Sequence, residues 1–203
     1  MAFGTLGAAD VLTAHPDDLV AQALLLDGVS SISIPRDDPW AWPEPRLRYA
    51  NAVLPEALLA AGMGLESPRT VSHGLGMLRF LVGVETAGGH LSVTGTEGRG
   101  PTQTAAQFDQ QPIEVAAIAD ACARAFDITD DASWRDAVAT TWAWFMGDND
   151  ASTRMFDLES GAGFDGLETN GRNENRGAES TLAALSTYQQ ARRLGVLEVV
   201  PSR

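Results

Sequence analysis

Two stretches of the chain carry carboxylates and amides in one pattern, about sixty-five residues apart: Phe108-Asp109-Gln110-Gln111-Pro112-Ile113-Glu114 and Asn173-Glu174-Asn175-Arg176-Gly177-Ala178-Glu179. In each, an amide stands four places before a glutamate, a helix-start residue lies between them, and small residues at helical spacing follow. A fainter copy, Tyr49-Ala50-Asn51-Ala52-Val53-Leu54-Pro55-Glu56, lies upstream, with its amide five places before the glutamate. A carboxylate in a first helical turn is favoured by the helix dipole and the unpaired N–H groups there, so capping alone accounts for any single copy. Three copies after polar loops predict a helical repeat whose N-termini share one face.

The surroundings of these glutamates suit sugar chemistry. Amides and carboxylates satisfy ring hydroxyls, aromatic faces stack on apolar C–H faces, and two acids can serve as proton donor and as base or nucleophile. The candidate acids are Asp109, Glu114, Asp165 and Glu179. The candidate platforms are Trp40, Trp42, Phe108 and Phe164, with Asn51, Glu56, Gln110, Gln111, Asn173 and Asn175 as further saccharide contacts. A structural alternative is a polar network in which the same groups tie loops to helix ends with no ligand.

Other chemistries find little support. Every cation in the chain is arginine, which removes lysine Schiff bases and the P-loop lysine. The net charge of −13 argues against nucleic acid and acidic membrane surfaces as partners. Cys122 is the single cysteine, excluding an intrachain disulfide and reading as a buried thiol on a helix. His15, His73 and His90 are scattered without a helical pair, and Gly147-Asp148-Asn149-Asp150 lacks the ligand series of a calcium loop, so no metal and no cofactor is expected. The glycine-rich pieces 95–100 and 161–163 lack the strand and phosphate-cradling order of a nucleotide site. The absence of a basic leader and of a membrane-length apolar run predicts a cytoplasmic chain.

The elements that must position these residues are helices. Apolar spacing predicts them over Ala8–Leu12, Leu19–Val29, Leu47–Met63, Pro68–Val84, Gln111–Phe126, Asp131–Met146 and Gly177–Leu194. Ser67 and Asp130 are expected N-caps, and the acids at Asp17 and Asp18 suit the start of the second helix. Trp134, Val138 and Trp142 form a helical stripe, so these tryptophans and Trp144 read as core. The one plausible strand is His90-Leu91-Ser92-Val93. Short joints near 64–67 and 127–130 alternate with long loops, and both long loops precede glutamate-bearing helices, gathering them at one end.

Gly163-Phe164-Asp165-Gly166-Leu167 followed by Asn173-x-Asn175-x-Gly177-Ala178-Glu179-Ser180-Thr181-Leu182, with Trp40-x-Trp42-Pro43-Glu44-Pro45, residues 51–57, 108–114 and 142–150, resembles the C-terminal helical domain associated with retaining two-Rossmann-lobe glycosyltransferases. The likeness runs roughly from Asp37 to Leu194. It implies an (α/α) toroid or partial toroid of antiparallel helical hairpins with long loops on one face; the apolar spacing predicts an all-α fold, and the length suits residues 1–203 as a single helical domain, a stand-alone relative or a piece of a larger toroid. It also implies a carbohydrate-active role; the carboxylates, Asp109 or Glu114 against Asp165 or Glu179, make glycoside hydrolysis the expected reaction, and the alternative is a non-catalytic glycan-binding or assembly module partnering a glycosyltransferase. The transferase lobes and their nucleotide-binding loops are not in this chain, so transferase activity is not implied.

Overall fold

The structure, a computed structural model, describes residues 1–32 and 39–197. Residues 35–38 of the proline and tryptophan loop, including Asp37, lie outside them. Among the described residues the fold is predominantly α-helical: α1 (Ala2–Ala14), α2 (Leu19–Ser31), α3 (Val53–Gly64), α4 (Pro68–Glu85), α5 (Pro112–Thr129), α6 (Ala132–Met146) and α7 (Ala178–Arg193).

Local chemistry sets several helix boundaries. Asp18 caps α2 by accepting the Val20 and Ala21 N–H groups, each at 2.9 Å. The Ser67 side chain accepts the Thr70 N–H at 3.4 Å, and Pro68 sits at the first helical position of α4. Asp130 does not cap α6. It is the left-handed C-cap of α5 (φ 53°), and the next residue, Asp131, accepts the Ser133 N–H at 3.0 Å. Of the two acids in this joint, the first is needed where a helix ends, a position that Asp tolerates.

α3 starts six residues later than its apolar spacing predicts, because residues 47–52 are recruited elsewhere. Leu47 forms a backbone bridge to Arg99, and residues 48–51 make a turn with Ala50 in the left-handed region (φ 48°). The expected strand at 90–93 does not form. Residues 91–94 are buried without a ladder, and among the described residues the one hairpin pairs β1 (Leu167–Glu168) with β2 (Gly171–Arg172). Alternation at Leu91 and Val93 therefore marks anchoring in the core, at 1% and 0% exposure, rather than pairing.

The three-residue joint at 65–67 and the two-residue joint at 130–131 fold α3/α4 and α5/α6 into antiparallel hairpins. α5 is the central helix: it packs against α3, α4, α6 and α7, and its alanines, Ala116, Ala117, Ala119, Ala121, Ala123 and Ala125, are buried and let neighbours approach. Leu59, Leu78, Leu81, Ile118, Trp144, Phe145, Met155 and Leu167 fill the main core. The α1/α2 hairpin rests on α3 through a separate small cluster of Ala8, Leu12, Ala21, Leu25 and Ala61. Among the described residues no helix is long and apolar enough to cross a membrane.

Candidate functional site

The three repeated glutamates sit in the first turns of α3, α5 and α7, but in different registers: Glu56 is the fourth helical residue, Glu114 the third and Glu179 the second. The N-termini nevertheless meet. The turn before α3 reaches both other helices, with Ala50 and Asn51 bonded to Glu114 and the Tyr49 hydroxyl donating to Glu179 at 3.3 Å. The shared face expected from the repeat is therefore present, although the amide–glutamate spacing does not translate into equal helix positions.

Glu114 is almost wholly buried and fully engaged. Its Oε1 accepts the Ala50 N–H, and its Oε2 accepts the Asn51 N–H and the Asn51 Nδ2–H at 3.1 Å each. The Asn51 Oδ1 in turn accepts the Arg48 N–H at 2.8 Å. Burial pushes the Glu114 carboxyl up to about 7, helped by the nearby Glu85 and opposed by those three N–H donors. The bonds offset what it costs Ala50, a residue with a Cβ, to hold a positive φ, about 1–2 kcal/mol.

Glu85, at the last turn of α4, has no exposed surface. Its Oε1 accepts the Thr94 N–H and hydroxyl at 2.8 and 2.7 Å, and Arg99, itself buried, lies close enough to oppose the upward shift that burial imposes. Arg99 also donates to the Ser92 carbonyl at 3.0 Å. Glu85 and Arg99 thus tie the 86–111 loop to the last turn of α4. The sequence does carry a signal for Glu85, since it continues the buried spacing of Leu78 and Leu81 as an acid in an apolar stripe.

Gln110 is the second hub. Its backbone pairs with Leu167 in both directions, at 3.0 and 2.8 Å. Its side-chain Nε2 donates to the Gln107 carbonyl and to Asp150 Oδ2, and its Oε1 accepts the Trp144 indole N–H at 3.2 Å. Asp150 also meets His90 Nε2 at 2.8 Å. The Gly147–Asp150 segment is thus a turn, with Asn149 bonded at both ends of its amide to backbone, and Asp150 is a structural acid that sequence spacing does not single out.

The remaining candidates divide between engaged and open groups. Asp165 Oδ1 accepts the Gly177 N–H and the Ser180 hydroxyl, both at 2.7 Å, so it caps α7 from twelve residues upstream. Asn173 Oδ1 accepts the Asn175 N–H at 2.9 Å, and the Asn175 carbonyl accepts the Asp165 N–H at 3.0 Å. Asp109 is half-buried against Gly166; burial, then the charges of Glu168 and Asp165, raise its pKa. Glu56 pairs with Arg124 at 3.2 Å on the flank of α5, and burial lifts it to about 7 with Arg124 opposing. Trp42 is buried and stacks on Phe80 at 6.4 Å, Trp40 meets the same ring edge-on at 5.2 Å, Phe108 packs on the core, and Phe164 is covered. Trp134 and Trp144 are core, while Trp142 is half-buried in an aromatic group with Phe145, Phe156 and Tyr188.

Beside these hubs lies an open cleft of about 320 Å³ lined by Arg48, Tyr49, Thr94, Glu97, Gln111 and Glu114 among others. Tyr49, 56% exposed, is the aromatic ring on its wall, and of the expected residues Gln111 and Glu114 reach it. No group of three or more His, Cys, Asp or Glu side chains among the described residues is arranged to hold a metal ion. No protein-family model matches the chain, and no curated protein matches it in sequence.

Proposed function

We propose that the chain is a non-catalytic carbohydrate-binding module that takes a saccharide in the Tyr49 cleft. The observation that carries this reading is the juxtaposition of an exposed tyrosine ring with Arg48, Glu97 and Gln111 at the shared N-terminal end. An aromatic face and a fan of polar side chains are what a sugar ring requires. Both oxygens of Glu114 and the Oδ1 of Asp165, by contrast, are spent on backbone N–H groups and, for Asp165, on the Ser180 hydroxyl, which favours a scaffolding over a catalytic part for them.

We further infer that α3, α5 and α7 are the inner helices of a partial (α/α) toroid, with α4 and α6 outside. Supporting this are the convergence of their N-termini and the direct packing of α5 on both α3 and α7. The resemblance of the 163–182 segment to glycosyltransferase-associated domains makes such an enzyme the natural partner of an assembly module. Glycoside hydrolysis is the second reading, favoured by one observation: Glu114 lines the cleft with a carboxyl held near neutrality, as a general acid needs.

A glycan array of the parent and of Tyr49→Ala tests the binding reading, with a reducing-end assay on each glycan that binds. Binding that disappears in Tyr49→Ala at unchanged melting temperature, with no reducing ends released, is the expected result. Release that Glu114→Gln abolishes would move the assignment to hydrolysis, and a blank array would remove the saccharide altogether.

A further inference from the structure

A second cleft, of about 450 Å³, opens on the loop before α7 and is lined by Arg154, Phe156, Asp157, Phe164, Arg172 and Arg176 among others. Three of the chain's fourteen cations gather here, in a protein whose net charge is −13. Their arrangement is built rather than incidental. The Arg172 guanidinium lies 3.5 Å from the centre of the Phe164 ring and that of Arg176 lies 4.9 Å from it. Arg172 Nη1 also donates to the Arg154 carbonyl, which fixes the fork against the loop.

Acids are present, Asp157 and Glu159 in the lining and Glu174 beside it, but they leave donors over. Arg172 Nε donates to Glu174 at 3.1 Å, and Arg176 Nη1 donates to Asp157 at 2.9 Å. Each guanidinium carries five N–H groups, and the Arg154 side chain makes no hydrogen bond to another described residue. The wall therefore offers the unspent fork of Arg154 beside the remaining donors of Arg172 and Arg176, which the Phe164 ring holds in place, a donor set that matches a carboxylate, sulfate or phosphate. Ring and backbone contacts have already restricted Arg172, so less side-chain freedom remains to be lost when an anion docks.

We propose that this arginine cleft is an oxyanion-binding site, taking a carboxylate, sulfate or phosphate group either as a free ion or as a substituent of a larger ligand. It is separate from the Tyr49 cleft and does not rest on the saccharide reading.

The test follows the arginine Nε–H signals of the intact chain by NMR at constant ionic strength. The probes are inorganic phosphate, inorganic sulfate, an oligouronate and a neutral oligosaccharide of the same length. Saturable shifts of the Arg172 and Arg176 signals are expected with one or more of the three anions and not with the neutral oligomer. Saturation by phosphate or sulfate alone would identify a free-ion site, and saturation by the oligouronate alone a carboxylate-bearing ligand. Arg154→Gln and Arg176→Gln, at exposed positions, should each weaken binding by at least about tenfold, one charged hydrogen bond. Tyr49→Ala should leave the response intact. Linear shifts without saturation, an equal response to the neutral oligomer, or unchanged affinity in both arginine variants would overturn the proposal.

Discussion

Glu114 Oε2 accepts both the backbone and the side-chain N–H of Asn51, at 3.1 Å each, so the amide of the first repeat is clasped by the glutamate of the second. Tyr49, from the same turn, reaches the glutamate of the third. Glu114 thus bonds the amide of another copy rather than the amide of its own, Gln110, whose side chain serves Gln107, Asp150 and Trp144, and the bonds that join the copies also shape the cleft wall. Loop order and cleft geometry should therefore rise and fall together.

Glu114→Gln tests that linkage. The substitution keeps shape but replaces an acceptor oxygen with an NH2 group facing N–H donors, so buried donors lose their partner at a cost of about 1–3 kcal/mol. Glu179→Gln, at an exposed site with one 3.3 Å contact, should change stability by less than about 0.5 kcal/mol. Denaturant titration of both variants checks the contrast; equal effects would show that the clasp contributes nothing special.

Stability should fall as pH rises through neutrality. Glu114 and Glu56 are each raised from 4.5 to about 7, so between those values the folded chain holds protons that the unfolded chain has released. Their contribution is fully present below about pH 4.5 and lost as the pH climbs through about 7. The lowered carboxyls Asp131, Asp150 and Asp157 act in the opposite sense, but only at acid pH, below their ordinary value of 3.8. A melting temperature higher near pH 5 than near pH 8 is expected, with a smaller difference in Glu114→Gln.

The helices were legible because their cores repeat at helical spacing: Leu78, Leu81 and Glu85 in α4 and Trp134, Val138 and Phe145 in α6 are all buried. The cap at Ser67 was legible because one side chain had one role; at Asp17 and Asp18, and again at Asp130 and Asp131, adjacent acids competed, and spacing marked the helix boundary without choosing the residue that caps it. The shared face was visible in the repeat, but the use of its residues was not. Whether a carboxylate meets a ligand or a backbone N–H depends on loop paths of long sequence separation, such as residue 50 to 114, which no local pattern encodes. Tyr49, the exposed ring of the cleft, gave no signal beyond its place beside the first repeat. Trp42 and Phe164, the more conspicuous aromatics, were drawn into the core by their greater apolar area.

Asp165→Asn should loosen the start of α7. Its Oδ1 accepts from Gly177 N–H and from Ser180, and no side chain in the Gly177 N-cap itself can replace it. The amide retains an acceptor oxygen but loses the charge that favours a helix N-terminus, at about 0.3–1 kcal/mol. Faster amide exchange at Gly177 and Ser180, with α5 amides unchanged, is the expected pattern. Uniform acceleration through α5 would show that the cap is coupled to the whole core.

Two glycines in α4 should respond to alanine with opposite signs. A Cβ on Gly76 meets nothing within 4 Å, so Gly76→Ala reduces the freedom of the unfolded chain and favours the helix by about 1 kcal/mol. A Cβ on Gly74 would lie 3.0 Å from the Pro55 carbonyl and 3.0 Å from Leu59 Cγ, where α4 crosses the start of α3. The carbonyl belongs to a packed helix and cannot rotate away, so α3 and α4 must separate and the helix gain is outweighed, leaving a net loss of about 1–3 kcal/mol. Because α3 begins at the Asn51 turn, that separation should also weaken ligand binding in the Tyr49 cleft. Thermal melts of both variants, read beside the glycan array, check the prediction: a Gly74→Ala protein as stable as the parent would mean that the α3/α4 contact is looser than its geometry shows.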